Sequence, residues 1–130
     1  MDLTILTPHK KLLESEPVDE LFVPGFMGEL NILPNHGNFV TKLTTGVIRW
    51  RNGTTWKKAT ASYGLLEIFD GHITLLADAS ELSSEIDLKR AKKAEEIARQ
   101  KVEAGGLDDE NSRKYQLKLQ RAISRISAAG

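Results

Sequence analysis

The stretch Val47-Ile48-Arg49-Trp50-Arg51-Asn52-Gly53-Thr54-Thr55-Trp56-Lys57-Lys58-Ala59 decides the class of fold. Two short runs rich in β-branched and aromatic residues flank Asn52-Gly53, a dipeptide that tolerates the positive φ angles of a type I′ turn. The reading is a β-hairpin. A second follows, with Asp70-Gly71 between residues 63–69 and 72–77. Outward from these two, from Leu3 to Ala77, apolar runs stay short and turn residues recur roughly every eight to twelve positions. Candidate strands are 3–7, 11–14, 18–23, 28–32, 40–44, 47–51, 54–59, 63–68 and 73–76. Many short antiparallel strands with no helical segment between them imply a sandwich or flattened barrel.

After Leu82 the period changes. Ser84 followed three residues later by Asp87 matches a capping box, with Asp where Glu or Gln is usual. Ala91, Ala94, Ala98 and Val102 then form a narrow apolar stripe at helical spacing. Gly105-Gly106 ends that helix, because glycine adopts the left-handed C-cap without steric cost. Asp108, Asp109 or Asn111 can cap a second helix whose stripe is Tyr115, Leu119, Ala122, Ile123 and Ile126. The short link predicts an antiparallel α-helical hairpin. The expected division is a β-sandwich over 1–84 and a helical hairpin over 85–130. Alanine stripes bury little area, so the hairpin needs the sandwich, a ligand or a partner to stay folded. That makes it a moving part.

Composition narrows the function. Formal net charge is zero, which gives the whole molecule no bias toward nucleic acid or anionic lipid. Five Lys or Arg follow the last acid, Glu110, but Tyr115 alone stands among them, too few aromatics for a base-stacking surface. No cysteine is present, so disulfides and thiolate metal sites are excluded. No apolar run approaches the roughly 20 residues that span a bilayer, and the first residues lack a basic segment followed by an apolar one. The expectation is a soluble, intracellular chain with no direct membrane insertion.

Chemistry-bearing patterns are sparse. Gly25-x-x-Gly28-Glu29 lacks the Gly-Lys-Ser/Thr ending of a phosphate loop and reads as a turn feeding a strand. His36 lies among turn residues, far in sequence from His9 and His72, and no imidazoles or carboxylates stand at metal-ligand spacing. There is no Gly-x-Ser-x-Gly elbow, cysteine nucleophile or convincing acid–base pair. No catalytic residue is expected.

The string Val23-Pro24-Gly25-Phe26-Met27-Gly28-Glu29-Leu30-Asn31-Ile32-Leu33-Pro34-Asn35-His36, continued in Gly46-Val47-Ile48-Arg49, resembles the epsilon-subunit family of bacterial F-type ATP synthases. Tyr63-Gly64-Leu65-Leu66-Glu67-Ile68, Ile73-Thr74-Leu75-Leu76-Ala77-Asp78, Ile86-Asp87-Leu88-Lys89-Arg90-Ala91 and Leu119-Gln120-Arg121-Ala122-Ile123-Ser124-Arg125-Ile126 extend the resemblance nearly end to end. It implies a sandwich of about ten strands and a non-catalytic place in the central rotor stalk. The implied partners are the gamma subunit, the ring of c subunits and, through the hairpin, the alpha and beta subunits. The implied location is the F1 sector, peripheral at the cytoplasmic face of the bacterial cell membrane. The hairpin is implied to be a brake that permits turnover when folded down and inhibits ATP hydrolysis when extended.

Several residues acquire roles from the resemblance. Glu29 and His36 are implied at the c-ring and gamma interface. Asp87, Arg90, Ala91, Arg121 and Arg125 stand where some members bind regulatory ATP, and Arg121 and Arg125 are implied to meet alpha and beta. Ile97 replaces an arginine of the best ATP binders, which removes one phosphate contact. No other cofactor and no metal is implied. Two further readings are an ATP-sensing switch and a free-standing adaptor that dimerises through its helices.

Overall fold

Alternation along each strand sets which side chains face inward. The computed structural model describes residues 1–129. Leu3 and Ile5 of β1 (Asp2–Leu6) are fully buried, as are Leu21 and Val23 of β3 (Glu20–Gly25). The same period buries Ile48 and Trp50 of β6 (Gly46–Asn52) and Leu66 and Ile68 of β7 (Thr55–Phe69). Ile73 and Leu75 of β8 (His72–Ala79), Ile32 of β4 (Gly28–Ile32) and Leu43 of β5 (Phe39–Leu43) complete one apolar core. Each such side chain contributes about 2 kcal/mol on removal from water. Trp50 also donates its indole N–H to Glu16 Oε2 at 2.6 Å, on β2 (Lys11–Pro17).

The hydrogen-bonded order is β2-β1-β8-β7-β5-β3-β4, with β6 pairing both β3 and β7. Strand β7 is the shared member. Its first half pairs with β6, from Asn52↔Thr55 to Gly46↔Ala61, and its second half pairs with β5, from Leu43↔Gly64 to Phe39↔Ile68. Between the halves the backbone bends at Tyr63, where φ is +45°. At Gly64 the chain runs so close to β8 that an added Cβ would stand 1.8 Å from the Leu76 carbonyl oxygen. Two layers therefore close on the core through one bent strand.

The sandwich-plus-hairpin architecture forms as expected, with corrections inside it. Eight strands are present rather than about ten, because the ladder runs unbroken through Thr60, Ala61 and Ser62. One pairing is parallel: β1 lies beside β8, from Asp2↔His72 to Leu6↔Leu76. The Asp70-Gly71 turn has both φ angles positive, at +52° and +79°, as type I′ requires. The other turn centres on Gly53-Thr54 instead of Asn52-Gly53, since Asn52 pairs directly with Thr55. Only Gly53 is left-handed there, the pattern of glycine at the first central position of a type II′ turn.

A short 3₁₀ turn, Ser83–Glu85, leads to α1 (Leu88–Ala104) and α2 (Asp109–Ala129). The expected capping box does not form. Asp87 is itself the N-cap of α1, and its Oδ1 accepts from the Arg90 N–H at 3.1 Å. Asp108 caps α2 in the same way, accepting from the Asn111 N–H at 2.8 Å. Gly105, with φ +69°, ends α1.

Candidate functional site

Small side chains let the two helices meet. Ala91 and Ala98 of α1 and Ala122, Ser124 and Ala128 of α2 are the buried hairpin residues. Of the two helices, α2 is the one that lies across β6 and β7. Polar contacts fasten it there. Arg121 donates from Nε to Ser62 Oγ at 2.7 Å, and its Nη2 lies 3.5 Å from Asp78 Oδ2. Ser83 Oγ donates to the Ala128 carbonyl at 2.7 Å. Arg125 pairs with Glu81, Nε to Oε1 at 2.7 Å and Nη2 to Oε2 at 3.4 Å. The Nε–H is not aligned with Oε1, so that contact is charge pairing and leaves the Nε proton without an acceptor. Glu81 is fixed in turn, since its backbone N–H donates to Thr60 Oγ1 at 3.0 Å. Partly exposed ion pairs contribute about 1 kcal/mol or less each, so this is a reversible clasp.

Beneath the clasp lies a cavity of about 460 Å³ between hairpin and sandwich. Arg121, Arg125 and Ile97 line it; Asp87, Arg90 and Ala91 do not. The five residues expected to hold ATP are thus divided. Asp87 is engaged in capping, Ala91 is buried, and the exposed Arg90 side chain makes no hydrogen bond or ion pair among the described residues. Arg121 and Arg125 share one face, four residues apart, and both guanidinium groups already meet acids of the sandwich.

Glu29 and His36 are also apart. Glu29 projects from β4 beside the Phe26-Met27 turn and pairs with Arg49 at 3.5 Å. His36 lies beyond the other end of β4, where its Nδ1 contacts the Gly37 carbonyl at 2.8 Å and its ring meets Phe39 edge-on at 5.6 Å. The remainder of β4 from Glu29 to Ile32, about 10 Å of strand, and the turn after it separate the two positions. Arg49 stands 4.4 Å over the Phe22 ring, and Phe22 stacks on Trp56 at 6.1 Å, a cation–π ladder beside Glu29.

Two apolar surfaces were not singled out from the sequence. The β3–β4 turn presents Phe26 and Met27 at 70% and 92% exposure. On the outer face of the other layer, Leu6, Leu76 and Leu65 stand in register across β1, β8 and β7, with Tyr63 beside them. The doublets Leu65-Leu66 and Leu75-Leu76 carried the signal: adjacent leucines in a strand make both faces apolar. Among the described residues no group of His, Asp and Glu could hold a metal ion, and no helix is long and apolar enough to cross a membrane.

The comparisons with known proteins cover both parts. The β-sandwich domain of the ATP synthase delta/epsilon chain matches residues 1–83, and the long α-helix domain of the same chain matches residues 84–130. The ATP synthase epsilon chain of Bdellovibrio bacteriovorus is 37% identical, covering 99% of this chain and 94% of its own length. That of Desulforamulus reducens is 39% identical over 98% of this chain and 95% of its own length. A chain in the cryo-EM structure of Euglena gracilis mitochondrial ATP synthase (OSCP/F1/c-ring) has the same fold, with a TM-score of 0.84 and 24% identity, covering 99% of this chain and 80% of that one.

Proposed function

The chain belongs to the ATP synthase delta/epsilon family, and from that membership we propose that it is an epsilon-type central-stalk subunit, non-catalytic itself, that couples rotation to catalysis and restrains ATP hydrolysis. The observation that carries this reading is the match of both domains, in order and over nearly the whole chain. We take 1–84 as the anchoring unit and 85–130 as the regulatory one. The subunit sits in the F1 sector, peripheral at the cytoplasmic face of the bacterial cell membrane.

The surfaces suit distinct partners. The row Leu6, Leu76 and Leu65, extended by Tyr63, is an apolar face for the gamma subunit. Glu29 with the Phe26-Met27 turn addresses the polar loops of the c-ring, and His36 serves the neighbouring contact from the opposite end of β4. Arg121 and Arg125 exchange Asp78 and Glu81 for acids of alpha or beta when the hairpin leaves the sandwich. Protein contacts rather than ATP hold the hairpin down in this reading.

The test mixes the cognate alpha–beta–gamma complex with the full chain or with one ending at Leu82. Both should bind gamma, and only the full chain should slow ATP hydrolysis. Equal hydrolysis with both bound would remove the brake, and failure of both to bind would remove the stalk role.

A further inference from the structure

Thr45 Oγ1 and Arg125 Nε are the buried side-chain polar atoms that lack a hydrogen-bond partner among the described residues, and both belong to the lining of the cavity under the hairpin. Such orphans are costly and rare in a folded protein. Their coincidence in one cavity is the feature that the rotor role leaves unexplained. The rest of the wall is largely methyl groups, from Ala61, Ala94, Ile97, Ala98 and Ala122. Along α2 the cavity extends from Tyr115 to Arg125, roughly 15 Å at the helical rise.

We propose that this cavity is a binding site for a small uncharged amphiphile, with a hydroxyl or carbonyl head between Thr45 and Arg125 and an apolar body on the alanine bed. A hydroxyl or carbonyl oxygen accepts from both the Arg125 Nε–H and the Thr45 O–H, which satisfies the two orphans together. The head is uncharged because Glu81, 2.7 Å from the same Nε, already compensates the guanidinium and repels a second anion. Arg121 is likewise offset by Asp78. Lys118 remains toward the far end, beside Tyr115, its ammonium 5.3 Å from that ring and with no ion pair among the described residues. There it stays hydrated at the mouth while its stem extends the apolar wall. Water alone could cap the two polar atoms, but it would leave most of the 460 Å³ facing methyl groups. That volume falls within the range of small-molecule sites. A ligand there touches α1, α2 and β7 at once, so its binding holds the hairpin against the sandwich.

The experiment titrates the full chain with 1-octanol and, separately, with sodium octanoate, following backbone amide shifts by NMR and hydrogen exchange in α2. Expected are saturable 1-octanol shifts at Thr45, Ile97 and Ala122, slower exchange in α2, and octanoate at least about tenfold weaker. Thr45→Val should weaken 1-octanol about fivefold. Ala94→Phe should abolish the shifts by filling the space; Ala94 is exposed on α1, so the helix persists. Absence of saturable shifts would mean that the cavity holds water only, and the proposal falls. Tighter octanoate would overturn the uncharged head, and binding unaffected by Ala94→Phe would overturn the site. None of these readouts depends on ATP hydrolysis, so the stalk role stands or falls separately.

Discussion

The sandwich and the hairpin are held by different physics. In the sandwich, Trp50, Leu3, Ile5, Leu21, Ile48 and Leu66 are removed from water almost completely, and the Trp50 indole N–H is paired with Glu16. In the hairpin the buried set is alanine and one serine, and attachment to the sandwich rests on Arg121, Arg125 and Ser83. Burial of large side chains is strong, non-directional and costly to undo in part. A polar clasp can be exchanged for another of similar strength. One chain thereby combines a tightly packed sandwich with a lightly clasped hairpin, and the contrast follows from side-chain size.

Three substitutions probe this contrast, in falling order of effect. Trp50→Ala should destabilise the sandwich by about 3–5 kcal/mol, chiefly from the lost indole packing, with Glu16 Oε2 losing its donor while Oε1 keeps Lys57. The shift in the denaturant midpoint measures it, and a change below about 1 kcal/mol would break the contrast at its stronger side. Asp87→Ala should weaken α1 by about 1 kcal/mol through loss of the cap. Hydrogen exchange should then quicken in the first turn of α1 while the sandwich amides keep their protection. Arg121→Gln should have the smallest effect, below about 1 kcal/mol, because Arg121 and Asp78 are 38% and 66% exposed. It should appear as faster exchange along α2 alone, and slowed exchange there would refute the clasp.

What could be read from the sequence was local. Asp70-Gly71, Gly105 and Asp108 each act within a few residues, and each does what its side chain or missing Cβ dictates. The unbroken β7 was not legible, because residues 59–62 are all buried, one face by the core and the other by α2. Alternation disappears where both faces are covered, and Thr60-Ala61-Ser62 then reads as a break. The clasp was half legible. Arg121 and Arg125 stood out by spacing, but their acids Asp78 and Glu81 lie some forty residues earlier and come near only when the hairpin folds back. The parallel partner of β1 was hidden for the same reason of distance.

That parallel pairing orders events during synthesis. Asp2 and His72, seventy residues apart, belong to one ladder, so β1 can pair early with β2 on one edge but must wait for nearly the whole sandwich before its other edge meets β8. Until then Leu3 and Ile5 are exposed, and the nascent chain is at its most prone to stick to others. The helices come last and need only neighbours a few turns away, so they form within microseconds once released. Closure of the sandwich is therefore the slow step of biogenesis, and the arm takes its place on a surface that is already complete.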